Sequence, residues 1–326
     1  MFLRFATFLR FAAFSRFAAC AVLLIVLSGC AANPARQALL DAGPGVELEQ
    51  VAFFPQDEYQ CGPAALATVL ASDGIAVTPQ QLAPRLYIPD RRGSLQAEML
   101  ATTRSHGRVP YVLADALAPM LEEVQSGRPV LLLQNLGLNR WPVWHYAVLI
   151  GFDADAGEFL LRSGTIRRQQ SPARRFLASW ERGGRWAMVA APPGEPPVSA
   201  DATGWLRAVA PFESTGNLEL AAEGYQAAVA RWPEEPLAWA ALGNVRYLQG
   251  DLLAAEQAYS RALGISAGLW TVRNNLVRTL VDRGCPGLAQ PWVNGAGSPP
   301  AALASVWQRT LDDLAAAGVG VCAGGS

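Results

Sequence analysis

The spacing of hydrophobic and polar positions changes character twice along the chain. Residues 1–17 carry Arg4, Arg10 and Arg16 with no acid, and residues 18–27 form an uncharged apolar run. A basic start followed by so short an apolar core reads as an export signal rather than a membrane span. From 46 to 190 the pattern alternates between short helical and short extended stretches. Helices are predicted over 63–72, 79–86, 95–106 with Ser94 as its cap, and 117–126. A weak extended stretch is predicted over 48–54, and strands over 109–113, 130–133, 145–152, 158–162 and 185–190. Helices come first and strands later, as in an α+β domain. A polar and aromatic loop, 134–144, runs directly into the strand at 145 and is expected to form a wall or lid.

The second change follows Pro192-Pro193-Gly194-Glu195-Pro196-Pro197, a linker by composition. Beyond it the period is helical throughout. Trp239, Leu242, Gly243, Gly250, Ala255, Tyr259 and Ala262 follow the tetratricopeptide spacing. The same residue types recur 34 positions back at Trp205, Ala221, Tyr225 and Ala228, with Pro233 at the turn between repeats. They recur 34 positions forward at Leu276, Gly284 and Ala289. Three matches at one period predict an all-α solenoid of stacked hairpins, interrupted at 295–300 before a last helix over 301–317. Trp205 and Trp239 are expected to be packing residues. The division expected is 1–29 signal, 30–45 tether, 46–190 first domain, 191–204 linker and 205–326 repeats.

Charge narrows the classes of partner. The 326 residues carry a net charge of −1, and every basic side chain is arginine. No basic patch interleaved with aromatics appears, which argues against nucleic acid. No metal-ligand spacing and no glycine-rich phosphate loop occurs, so no cofactor is expected. Of five cysteines, Cys20 falls in the signal, Cys30 ends it and Cys61 precedes a helix. Cys285 and Cys322 remain, an even pair in an exported chain. They are expected to form a disulfide clipping the end of the solenoid, with two free buried thiols as the alternative.

The candidate chemistry lies in Gln56-Asp57-Glu58-Tyr59-Gln60-Cys61-Gly62-Pro63-Ala64-Ala65 and Trp144-His145-Tyr146-Ala147-Val148-Leu149-Ile150-Gly151. Pro63 suits a first helical turn, which sets the Cys61 sulfur at a helix N-terminus that favours a thiolate. His145, one of two histidines, opens an apolar strand, and His106 is expected only to end a helix before Gly107. A thiol and an imidazole so placed make a nucleophilic pair, with the Gln56 amide as an oxyanion donor. The bland alternative is a buried thiol and a satisfied core histidine.

These two segments resemble the papain-like cysteine peptidases that remove double-glycine leaders from bacteriocins, and more closely their lipoprotein relatives with tetratricopeptide repeats. The likeness spans about residues 48–190. It implies Cys61 as nucleophile, His145 as general base and Gln56 as oxyanion residue. The family's third residue is an aspartate closing the following strand, and here that position holds Ser163. Ser163 is therefore the expected orienter of the ring, with Asn135 and Asp153 as alternatives and Asp153 read as a turn residue. Leu27-Ser28-Gly29-Cys30 resembles a lipobox, implying a lipid anchor on Cys30 and a place on the periplasmic face, at the outer membrane by sorting analogy. The function implied is hydrolysis of a peptide or protein substrate, with a partner protein on the repeats. The other readings are a scaffold whose site has degenerated and a thiol acyltransferase.

Overall fold

The computed structural model describes residues 34–56, 60–91, 93–294, 297–318, 320 and 322. The export signal and Cys30 lie outside them. The stretch read as a tether is in part a docked helix: α1, Pro34–Asp41, buries Ala35 and Leu39 completely. Eight residues with two inward positions are too few to show a period, which is why the sequence read as linker.

The first domain is a seven-stranded antiparallel sheet with helices against it. Its strands are β1 (Val46–Glu47), β2 (Val109–Val112), β3 (Val130–Asn135), β4 (Trp144–Asp153), β5 (Glu158–Ser163), β6 (Ile166–Pro172) and β7 (Ala187–Ala191). They order β2-β7-β3-β4-β5-β6, with β1 pairing β4 beyond the end of β3. Strands β3 and β7 are buried along their whole length and β4 over eight of its ten residues, so they read as continuous apolar runs rather than alternating ones. Between the strands sit α2 (Cys61–Ser72), α3 (Pro79–Leu86), α4 (Gln96–Ser105), α5 (Leu117–Gln125) and α6 (Ala173–Arg182). Helix α2 contributes Leu66, Ala67, Val69 and Leu70 to the core with almost no exposed surface. Its alanines allow the close approach of helix to sheet that a central helix needs.

The pair β6 and α6 was not predicted. Strand β6 is an edge strand with arginine and glutamine mostly facing solvent, so nothing in its pattern alternates. Helix α6 does carry an apolar face, Ala173, Phe176 and Trp180. Phe176 stacks on Phe159 of β5 with centroids 3.9 Å apart.

From Ala202 the chain is helical: α7 (Ala202–Ser214), α8 (Leu218–Arg231), α9 (Pro236–Leu248), α10 (Leu252–Ile265) and α11 (Trp270–Asp282), then short turns and α12 (Ala304–Ala317). Helices α7, α9 and α11 start at 202, 236 and 270, and α8 and α10 at 218 and 252, which is the 34-residue spacing of the sequence. The tryptophans act in packing: Trp205 Nε1 donates to Gly224 O at 2.8 Å and Trp239 Nε1 to Pro233 O at 2.8 Å. Cys285 and Cys322 are joined across the last turn, with a sequence separation of 37.

The proline-rich stretch is not a free linker. Glu123 of α5, fully buried, accepts from the Ser199 backbone N–H at 2.8 Å and its hydroxyl at 2.7 Å. Arg231 of α8 donates to the carbonyls of Pro196, Pro197 and Val198. One hydrophobic core then runs from the sheet through Tyr111 and Trp205 into Val209, Phe212 and Tyr225. The two halves share apolar surface, so α7 is seated on β2 rather than tethered beside it.

Candidate active site

Helix α2 begins at Cys61, two residues earlier than the proline suggested, and residues 62–70 are all buried. Gly62 makes that entry possible: a Cβ there would stand 2.3 Å from the Ser94 hydroxyl oxygen, so only glycine lets α2 start against the segment leading into α4. Cys61 is the free cysteine among the described residues. Burial pushes its thiol up from the ordinary value, and the backbone amides of Tyr146, Gly62 and Cys61 offset this only in part. The expectation of a thiolate stabilised by the helix start therefore meets a stronger opposing effect, desolvation.

His145 is the second residue of β4, opposite Gln134 of β3 and 9 % exposed. Its Nε2 lies 2.9 Å from Ser163 Oγ, which closes β5. The two-residue turn after Ser163 has Gly164 at φ 60°, a conformation glycine adopts without strain, and it aims the serine at the ring. Burial lowers the imidazole pKa, so the ring is neutral at neutral pH. The next residue, Tyr146, brings its backbone amide to the Cys61 sulfur and packs its ring edge-on to Trp186 at 5.9 Å. The amide that meets the sulfur thus belongs to the residue directly after His145 in β4, and no hydrogen bond joins thiol and ring among the described residues.

Cys61, Gln56 and Ser163 line one narrow cleft together with Phe53, Phe54 and Tyr146. The Gln56 backbone N–H donates to Gly164 O at 3.2 Å, fixing the Phe53–Gln56 segment against the β5–β6 turn. Arg162, unrecognised in the sequence, holds the segment before it. The side chain is 5 % exposed, and its guanidinium donates to Val51 O, Glu49 O and Arg167 O. An arginine ending the apolar run Phe159-Leu160-Leu161 was the available signal.

The other candidates for orienting the ring are engaged elsewhere. Asn135 Oδ1 accepts from Gly137 N at 3.0 Å and Val143 N at 2.9 Å, closing the neck of the 136–143 loop. Asp153 accepts from Ala156 N at 2.8 Å at the far end of β4, as a turn residue does. His106 ends α4, with Nδ1 2.8 Å from Thr102 O. Ser94 is not the cap of α4: Leu95 occupies that position, and the Ser94 hydroxyl oxygen is buried without a hydrogen-bond partner among the described residues. The loop is shorter than predicted because β3 extends to Asn135. It leaves Leu138 and Trp141 at 63 % and 66 % exposure, and Trp144, which opens β4 directly before His145, is 56 % exposed. No group of three or more metal-ligating side chains occurs among the described residues.

No curated protein matches the chain. Among solved structures, a putative C39-like peptidase from Bacillus anthracis shares 19% identity over 45% of this chain and 96% of its own, with a TM-score of 0.37. The peptidase domain of Streptococcus ComA, a bi-functional ABC transporter involved in a quorum-sensing pathway, shares 18% over 44% of this chain and 99% of its own, with a TM-score of 0.37. Residues 48–188, which hold the sheet except β1 and the end of β7, match the model of the Peptidase_C39 like family, so this stretch is a C39-like cysteine-peptidase domain of papain-type α+β fold.

Proposed function

We propose that the chain is a cysteine peptidase in which Cys61 attacks a peptide carbonyl, His145 is the base and Ser163 orients it. The observation that carries this is the Nε2···Oγ contact of 2.9 Å between His145 and Ser163, one residue before the amide that meets the Cys61 sulfur. With Nε2–H donating to Ser163, Nδ1 is the unprotonated nitrogen and is free to take the thiol proton. Because burial raises the thiol and lowers the imidazole, the resting pair is neutral, and proton transfer accompanies attack instead of preceding it. The Sγ–carbon bond forms as the proton passes to Nδ1. The oxyanion is held by the Cys61 backbone N–H and the Gln56 amide. The imidazolium then protonates the leaving amine, and water hydrolyses the thioester by the same route in reverse.

In this reading Cys30 carries the lipid anchor at the outer membrane's periplasmic face, and the helical half is a tetratricopeptide-type surface for a partner protein. Mass spectrometry of the membrane-extracted chain should find a lipidated Cys30 at its N-terminus; an intact Met1 chain would contradict that. The missing carboxylate and the absent thiol–ring hydrogen bond favour one competing reading, a degenerate scaffold. Incubating wild type and Cys61→Ala with a peptide mixture and reading new termini by mass spectrometry decides between them. New termini with wild type alone support the peptidase, and none with either supports the scaffold.

A further inference from the structure

Fifteen large apolar side chains are exposed among the described residues, and five of them fall within the nine positions 136–144. They are Leu136, Leu138, Trp141, Val143 and Trp144, each more than half exposed. Scattered singly, such residues need no account, whereas a cluster marks a contact surface. The backbone holds this cluster in place. Beyond the pair Asn135 and Trp144 the β3–β4 ladder continues as a closed hairpin. Leu136 N donates to Val143 O at 2.8 Å, and Leu138 and Trp141 exchange bonds of 3.2 and 3.0 Å. Asn135 Oδ1 ties both arms at the neck. Cross-strand partners share a face, so Leu138 and Trp141 form one apolar tip. The Arg140 guanidinium stands 5.1 Å from the centre of the Trp141 ring, and Arg140 is the only charged residue of the nine.

An apolar tip can meet the substrate, a second copy of the chain or lipid. None of residues 136–144 lines the narrow cleft that holds Cys61, Gln56 and Ser163. Five side chains on one finger bury far less than the roughly 800 Å² per partner of a stable dimer. A lipid surface needs no matching groove and accepts a convex tip. Tryptophan and leucine beside one arginine, with no acid, suit the boundary between acyl chains and anionic headgroups. The start of the chain points the same way. Helix α1 lies at the other end of β4: Val46, soon after it, pairs with Phe152, and the Arg36 side chain lies against Gly157. Cys30 is four residues before Pro34, about 14 Å of chain at full extension, so a lipid there holds that end of the sheet close to the membrane. Strand β4 then carries the hairpin to a point about 33 Å along the body. Once the chain is anchored, the second contact is intramolecular, and a small apolar tip suffices for it. We propose that the 136–144 hairpin is a second membrane contact that inserts Leu138 and Trp141 among the lipids, laying the sheet along the surface with its His145 end at the lipid. Attachment through Cys30 rests on the reading given above; the apolar tip does not.

The test reconstitutes the full chain in vesicles of phosphatidylethanolamine and phosphatidylglycerol whose acyl chains carry a diazirine, and maps photoadducts by mass spectrometry. Adducts are expected within residues 136–144 and not on Leu237, Leu248 or Leu253, which are as exposed as Leu136 but lie on the helical half. They should be lost in the double variant Leu138→Ser, Trp141→Ser, with circular dichroism showing that it is folded. Adducts confined to the Cys30 peptide overturn the hairpin contact and leave the anchor standing. Adducts within 136–144 on a chain whose Cys30 carries no lipid uphold the hairpin and remove the anchor. A chain that takes no adduct at either place overturns both. Without hairpin adducts, a dimer in sedimentation that the double variant abolishes assigns the tip to a second copy, and a fall in kcat/KM of that variant on a soluble peptide assigns it to the substrate; either result overturns the membrane contact.

Discussion

Replacing Ser163 by alanine removes the one side-chain hydrogen bond that the His145 ring makes among the described residues, the 2.9 Å bond to Nε2. Both residues are below 10 % exposure, so water does not readily take the hydroxyl's place. An ordinary neutral hydrogen bond contributes about 1 kcal/mol, and stranding a buried imidazole N–H raises the cost to about 3 kcal/mol. At about 1.4 kcal/mol per tenfold, kcat/KM should fall by about 5- to 150-fold if the loss appears in the transition state. Ser163→Asp should act in the other direction on the ring. A carboxylate at that position favours the imidazolium, so the acid limb of the pH–rate profile should move to higher pH than in wild type. Asp153→Asn should leave rate and profile unchanged, because Asp153 serves a turn at the other end of a strand about 33 Å long. The assay is kcat/KM against pH on the best peptide substrate, with circular dichroism to show that each variant is folded. A folded Ser163→Ala with the wild-type rate at every pH would refute this assignment, and a dead Asp153→Asn beside it would move the role to Asp153.

Three further outcomes follow from the same geometry. Because burial raises the Cys61 thiol, iodoacetamide labelling should climb with pH through the alkaline range; a plateau across about pH 6 to 8, the mark of a preformed ion pair, would contradict it. Arg162→Met strands the Glu49 and Val51 carbonyls and frees the segment leading to Gln56, so it should cost at least about 3 kcal/mol of stability and slow turnover, measured by urea unfolding and kcat/KM. Cys285→Ser opens a cross-link spanning 37 positions, which on chain-entropy grounds is worth about 4 kcal/mol, and unchanged unfolding of the helical half together with free thiols on peptide mapping would count against the bond.

What the sequence made legible depended on how local each cause is. The Cys61 helix and the His145 strand announce themselves through Pro63, the alanine run and an unbroken apolar strand, all set within a few residues. The 34-residue period survives because each hairpin repeats the same packing problem. Strand β6 and helix α1 were missed because an edge strand and a two-residue apolar face carry almost no periodic signal. The state of the Cys61 thiol was misjudged for a different reason. The helix dipole can be seen in sequence, whereas the desolvation that outweighs it depends on residues from β4 and α4. Ser94 illustrates the same limit, since a serine before a helix reads as a cap until its neighbours are known. Arg162 looked like a strand-end residue and proves to bind three carbonyls across the fold.

The central claim is that Cys61 forms a covalent acyl bond with the N-terminal part of the substrate while His145 takes its proton. Rapid-quench mass spectrometry of the full chain with a cleaved peptide tests it most directly. The account predicts a mass increase equal to that peptide fragment, mapped to Cys61, absent in Cys61→Ala and formed far more slowly in His145→Ala. Cleavage without an adduct on Cys61, or an adduct formed at the wild-type rate in His145→Ala, would contradict it.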